Sequence, residues 1–173
     1  MDVYELVRTK LETRDFSQKQ VPDKIKLKIL EAARFTQSGN NSQHWRFILL
    51  DKKDELDKLA EDSLYGKWVR NANFAIIVLT DPSLGYHKID AGRAVQSMQL
   101  TAWGEGVASG VFVGVKDQEL RKDFGIPANL APTITVGFGY PARKVLGRKN
   151  RKQLSEIAFQ HSFGSPLEIK NQL

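Results

Sequence analysis

Two periodicities alternate along this chain. Asp2–Lys10 predicts a short helix, and Pro22-Asp23 opens a second one in which Ile25, Ile29, Leu30 and Ala33 form an apolar stripe at helical spacing. Arg46–Leu50 reads as a strand, followed by a charged, exposed helix over Lys53–Glu61. Phe74–Leu79 is continuously apolar and rich in β-branched residues, as in a strand covered on both faces, and it stops at the turn signal Asp81-Pro82. His87–Gly104 is the longest helical pattern, with Ala91, Ala94, Val95, Met98 and Ala102 giving one small-residue apolar side suited to close packing. Val107–Val115 predicts a strand, Gln118–Phe124 a short helix, and Thr133–Phe138 a last strand ending at Gly139-Tyr140-Pro141. Four strands interleaved with helices imply a layered α/β arrangement with helices on both sides of one sheet. Strand direction is not readable from this pattern.

The segment between the second helix and first strand, Thr36 to Phe47, breaks both periods. Ser38, Gly39, Asn40, Asn41, Ser42 and Gln43 are small or amide-bearing, and a loop at this place in an α/β protein commonly carries function on a rigid scaffold. Neutral donors and acceptors suit a flat polar heterocycle or a polyol and do not suit a metal. The same residues also serve a turn for backbone reasons alone. Trp45 and Phe47, at its end, read as core.

A chain of 173 residues is long enough for one domain with its own core. It has no cysteine, which excludes disulfides, zinc–thiolate sites, iron–sulfur clusters and a cysteine nucleophile, and agrees with a reducing cytoplasm. No signal peptide is visible at the N-terminus, and Phe74–Leu79 is too short to span a bilayer. We therefore expect a cytoplasmic protein without membrane partners. The net charge of +6 is local: Arg143, Lys144, Arg148, Lys149, Arg151 and Lys152 lie together without an acid, and the remainder balances at 20 basic against 20 acidic residues. Duplex binding needs a broad basic face. Six charges in one tail can serve a single small anion such as phosphate, or form a solvated loop. Beyond Pro141, Leu154, Ile157, Phe159, Phe163, Leu167 and Ile169 follow no clear period, and would be buried either on a partner subunit or on their own domain.

Several chemistries are absent. His44, His87 and His161 are the only histidines and none has metal-ligand spacing; His87 and Asp90 could share a helix face as a surface pair. There is no Gly-x-Ser-x-Gly elbow and no phosphate-binding P-loop, and Gly137-Phe-Gly139 lacks the rest of a dinucleotide fingerprint. With no nucleophile–base pair in view, an enzyme of this sequence would rely on a bound cofactor. No catalytic or metal-ligating residue is assigned.

Four segments, in order, carry a resemblance: Arg8-Thr-Lys-Leu-Glu-Thr-Arg-Asp-Phe16, Ser38-Gly-Asn-Asn-Ser-Gln-His-Trp-Arg-Phe47, Asp90–Ala102 leading to Gly106-Val-Ala-Ser109, and Val136-Gly-Phe-Gly-Tyr-Pro141 with Lys149-Asn-Arg151. Together they resemble the FMN-dependent nitroreductase family, over about residues 3 to 154. The resemblance implies a three-layer α-β-α sandwich with one mixed or antiparallel central sheet, occupying residues 1–173 as a single domain. It implies a homodimer with FMN at the subunit interface, NADH or NADPH as electron donor, and a nitroaromatic, quinone or similar acceptor reduced in ping-pong fashion. The segment 142–173 would be a phosphate-binding and dimer-wrapping tail.

Residue by residue, the resemblance sets Lys10, Lys149 and Arg151 around the FMN phosphate, which suits a dianion because charge-assisted contacts are strong. Arg14 matches a cation near the flavin pyrimidine edge, where it would favour the reduced cofactor. Ser38, Asn41 and Gln43 match a loop that reaches the cofactor, often from the partner subunit. Ser109 and Gly110 match backbone running past the ring system, and Lys67 is placed at the ring edge. Leu11 and Glu12 stand where the family has Arg and Ser, so polar contacts near the phosphate and ribityl chain must differ; a carboxylate at 12 pointing inward would repel a phosphate. His44 replaces a proline. Two alternatives stay open: a flavoprotein of the same fold with a specialised task (dehalogenation, ene reduction or flavin breakdown), and a basic-tailed module that binds nucleic acid without redox activity.

Overall fold

The computed structural model describes residues 2–145, 147 and 149–168. Arg148 of the basic segment and Ile169 of the apolar tail lie outside the described residues. Four strands, β1 (Arg46–Leu50), β2 (Phe74–Thr80), β3 (Ala108–Phe112) and β4 (Ala131–Gly139), form one sheet in the order β1-β2-β4-β3, with every neighbouring pair antiparallel. Five helices surround it: α1 (Val3–Thr9), α2 (Asp23–Arg34), α3 (Lys53–Asp62), α4 (His87–Gly104) and α5 (Asp117–Phe124).

The continuous apolar run of β2 has the expected cause. Because successive side chains point to opposite faces, Phe74, Ile76 and Val78 enter one core with Ile29 and Ala33 of α2 and Ala91, Ala94, Met98 and Ala102 of α4. Ala75, Ile77 and Leu79 enter the other, with Leu56, Leu59 and Ala60 of α3 and Leu120 of α5. All seven β2 residues are buried: six are apolar and fill the two cores, and Thr80 at the end satisfies its hydroxyl against His87 Nδ1 and Thr133 Oγ1. Helices therefore cover both faces of the sheet, as the pattern implies, and the small residues of α4 are those packed on it.

Two boundaries differ from the sequence reading by more than one residue. β3 ends at Phe112 rather than Val115: Val113 is exposed, a side chain on Gly114 would collide with Tyr65, and Val115 bridges to Ser63 instead. β4 starts two residues early, and Pro132 is tolerated because the register shifts between Val78 and Leu79 at that point.

The chain between α1 and α2 completes the sheet. Thr13 N–H donates to the Ser109 carbonyl at 3.0 Å, Glu12 bridges Ser109 in parallel sense, and Ser17 N–H donates to Tyr140 O at 2.8 Å. Residues 10–17 thus lie as an arm along the free edge of β3 and across the end of β4, which brings Lys10, Leu11, Glu12 and Arg14 beside Ser109 and Gly110.

Candidate functional site

A cleft of about 700 Å³ opens where the arm, α4 and the basic segment converge. Val7, Lys10, Leu11, Glu12, Gln96, Gln99, Lys149, Asn150 and Arg151 line it. Five positions assigned from the sequence therefore meet here, although 137 residues separate Glu12 from Lys149. Trp103 Nε1–H donates to Thr9 Oγ1 at 3.1 Å and ties the end of α1 to α4, which helps set the buried Lys10 in the wall of the cleft. Lys149 Nζ donates to the Val7 carbonyl and so anchors the basic segment to α1.

The cleft is cationic. Partial burial, then the charges of Arg151 and Lys10, hold the Lys149 amine below the ordinary lysine range, with Glu12 opposing. Glu12 does turn inward, toward the Lys10 ammonium and Gln99 Nε2, the latter at 3.0 Å; Gln99 Nε2 also reaches Ser109 Oγ at 3.0 Å. The carboxylate is thus occupied by donors. Three cations against one carboxylate leave two positive charges, a donor set matched to a phosphate dianion and unsuited to a metal cation.

Beside the cleft, the Arg14 guanidinium lies over the Trp68 ring, 5.6 Å from its centroid. Gly110 and Gly137 are partners across β3 and β4, and a Cβ on either would come within 3 Å of the indole. The ring therefore rests on a patch of bare backbone. Lys67 precedes it at the start of a 3-10 turn and is exposed, outside the residues lining the cleft.

Ser38, Asn41 and Gln43 sit elsewhere. Their loop runs through left-handed backbone at Asn40 (φ 51°), Asn41 (φ 54°) and Gln43 (φ 47°), conformations that cost free energy outside glycine. Ser38 Oγ accepts from Gln43 N–H at 3.0 Å. Asp90, only 1% exposed, accepts from Gly39 N–H at 2.9 Å and meets His44 Nε2 at 3.2 Å, both through Oδ2. Asp81 N–H donates to His44 Nδ1 at 3.3 Å, so the ring proton belongs on Nε2, facing the carboxylate. Gly39 has no room for a side chain, since its Cβ would fall 2.6 Å from the Tyr86 ring. The expected His87–Asp90 surface pair does not form: His87 Nδ1 meets Thr80 Oγ1 at 2.8 Å, while Asp90 turns inward as the loop's anchor.

Loop and cleft are held by opposite sides of α4. Asp90 and Gln99 are nine residues apart, about 13 Å along the axis and about 180° around it. Within the chain, Ser38, Asn41 and Gln43 are not among the residues lining the cleft with Lys10 and Lys149. Sequence reasoning also missed Gln96, Gln99, Trp68 and the His44–Asp90 pair. The available signal was two glutamines three apart on a helix whose inner side is otherwise alanine-rich.

Among the described residues no helix is long and apolar enough to cross a membrane, and no group of three or more His, Cys, Asp or Glu could hold a metal ion. The described residues thus form an α-β-α sandwich with a polar, cationic cleft at the sheet edge. The chain matches the nitroreductase family over residues 8–68 and 61–140 and belongs to it, and so to the oxidoreductases. It is 34% identical over 151 residues to a protein of Methanothermobacter thermautotrophicus provisionally named NADH dehydrogenase/NAD(P)H nitroreductase, covering 82% of this chain and 78% of that one. A crystal structure of a protein of the same provisional name from Bacteroides thetaiotaomicron aligns with a TM-score of 0.83 at 25% identity, covering 90% of this chain and 95% of that one. An FMN-dependent nitroreductase from Clostridium difficile R20291 shares the fold, with a TM-score of 0.85 at 20% identity over 93% of this chain and 100% of that one. The family match ends at Tyr140, so the case for Lys149 and Arg151 rests on where the fold puts them.

Proposed function

We propose that this chain is an FMN-dependent oxidoreductase, acting as a homodimer that takes reducing equivalents from NADH or NADPH and passes them to a small acceptor such as a nitroaromatic or a quinone. The observation that carries the reading is the cationic cleft, where Lys10, Lys149 and Arg151 converge and the Lys149 amine is held down by partial burial and then by the charges of Arg151 and Lys10. When bound, FMN would supply the two-electron chemistry that links a nicotinamide donor to the acceptor in ping-pong order.

Each side chain then has a binding or tuning role. Lys10, Lys149 and Arg151 would hold the phosphate. Glu12 and Gln99 offer an acceptor and a donor suited to ribityl hydroxyls, and Leu11 gives that wall an apolar patch. Arg14 would favour the reduced cofactor, with Ser109 and Gly110 as the adjoining backbone wall and Lys67 near the ring edge. Ser38, Asn41 and Gln43 would come from the partner subunit, a reading supported by their separation from the cleft across α4. Unburied apolar groups support the dimer too: α1 buries none of its residues and exposes Val3, Tyr4 and Val7, and Leu154, Ile157 and Phe163 of the tail are exposed. Residues 142–173 would supply both phosphate contacts and the wrap over the partner, in one domain of cytoplasmic setting.

The test is the visible spectrum of the purified protein reconstituted with FMN, recorded anaerobically before and after NADH and then NADPH. A bound oxidised-flavin spectrum that bleaches with either donor is the expected result. A protein that retains no FMN refutes the reading.

A further inference from the structure

Arg14 poses a physical problem. It is exposed, it forms no ion pair among the described residues, and an unrestrained arginine side chain samples many rotamers. A cation that tunes a bound ring must nevertheless stay in one place. Among the described residues, the group that meets the guanidinium is the Trp68 indole, 5.6 Å from its centroid.

Trp68 is itself fixed from several sides. It lies on the paired glycines Gly110 and Gly137, whose added Cβ atoms would come 2.9 Å and 2.7 Å from its ring atoms. Phe112 meets it edge-on at 5.8 Å and 88°, and Phe16 packs at 6.2 Å. The Arg14 Cγ passes 3.3 Å from the Gly110 Cβ position, so the arginine stem crosses the same bare backbone before its head turns over the indole. The indole N–H, moreover, is buried without a hydrogen-bond partner. A phenylalanine would fill much of this space without a stranded donor. What tryptophan adds is the strongest ring face for a cation.

We infer that Trp68 is a positioning residue for Arg14, holding its guanidinium by a cation–π contact and thereby setting the reduction potential of the bound flavin. The inference rests on the reading of the cleft as a flavin site. Trp68 itself touches neither donor nor acceptor in this scheme; it acts through Arg14 alone.

The test is a double-mutant cycle on the two-electron potential of bound FMN, measured by anaerobic redox titration of wild type, Trp68→Leu, Arg14→Met and the double variant. Arg14→Met lowers the potential. Trp68→Leu lowers it by a fraction, a two- to five-fold loss in preference for reduced over oxidised flavin, or about 10–20 mV for a two-electron couple. In the Arg14→Met background, Trp68→Leu causes no further change. An equal shift in both backgrounds, or no shift in either, overturns the inference. Loss of packing alone would lower unfolding stability in both backgrounds without this dependence on Arg14. Should Trp68→Leu fail to fold, Trp68→Phe serves in the same cycle and gives a smaller shift that again vanishes with Arg14→Met. Wild type that retains no FMN refutes the underlying reading, whereas wild type that binds FMN without coupling refutes only this inference.

Discussion

Removing the Asp90 carboxylate should unfasten the loop of residues 38–44 more than any other single change on α4. Its Oδ2 serves both Gly39 N–H and His44 Nε2 and is almost wholly buried, while Oδ1 has no hydrogen-bond partner and its nearest cation, Arg93 Nη1, is 3.7 Å away. In Asp90→Ala both donors lose a charged acceptor, and each such loss costs about 1.5–3 kcal/mol, partly recovered by water reaching the exposed side of Gly39; the net is about 3 kcal/mol. In Asp90→Asn the amide oxygen can take the Oδ2 place and keep both contacts, with the NH₂ group replacing the unpartnered Oδ1. That variant should lose about 1 kcal/mol, the difference between a charged and a neutral acceptor. For a chain of this length the two correspond to Tm decreases of about 6–12 °C and 2–4 °C. Thermal and urea unfolding at one fixed protein concentration separates them, the concentration being held because a dimer gains stability by mass action. Amide exchange at Gly39 and Gln43 should accelerate in step. If Asp90→Asn is as damaging as Asp90→Ala, or if Asp90→Ala costs under 1 kcal/mol, the anchor argument fails.

Lys149→Ala and Arg151→Ala should each weaken FMN binding about tenfold by fluorescence titration, more at low than at high salt, while Lys58→Ala on the solvent-facing side of α3, whose other side is buried in the core, should leave it unchanged. Because the Lys149 amine is held below the ordinary lysine range, first by burial and then by Arg151 and Lys10, FMN affinity should fall as pH rises through that lowered value, and Lys149→Arg should extend the plateau to higher pH. For stability the sign is opposite: the folded protein carries the penalty of a charged Lys149 at lower pH, so apoprotein stability gains as pH rises from the lowered pKa to the unfolded one, a gain Lys149→Gln should abolish. His87 is also held down, by burial and then by the charges of Lys88 and His44, so stability should decline as pH falls through the ordinary histidine value, and His87→Gln should flatten that limb in acid unfolding curves. Gly110→Ala would place a methyl 2.6 Å from the Thr13 carbonyl, where backbone cannot yield; a loss of about 1–3 kcal/mol with weakened FMN binding is expected, and calorimetry beside flavin titration checks both.

Elements with a strong period were legible. α4 and its apolar side follow directly from the sequence, since Ala91, Ala94, Val95, Met98 and Ala102 are all buried. β2 declares itself through six consecutive apolar residues, Phe74–Leu79, buried on both faces. Strand order and direction were not legible, because β2 pairs with β4 more than fifty residues away and nothing in either strand names its neighbour. The cleft was legible in part. Its cations were found by resemblance, whereas Gln99 reads as an ordinary polar helix residue until Glu12 and Ser109 are folded onto it. Asp90 illustrates the same limit: in the first turn of a helix an acid commonly faces water, and only the arrival of Gly39 and His44 turns it into an anchor. Trp68 carries no local signal, because the two glycines that make its seat lie 42 and 69 positions further along the chain.

The arm of residues 10–17 has a second consequence, for the protein's behaviour as a colloid. β3 ends the four-stranded sheet, and an uncovered terminal strand offers a row of free amide and carbonyl groups to any other chain. Here Glu12 and Thr13 pair with that row at Ser109, Lys10 and Gln99 hold the Glu12 carboxylate, and Lys149 ties the basic segment to Val7 of the preceding α1. Closure of the sheet and integrity of the binding cleft are therefore one mechanical unit. On the proposed reading, an anion that tightened the cleft would also keep the strand shut, and a truncation that removed the arm would strip away a wall of the cleft and the guard against edge-to-edge association together.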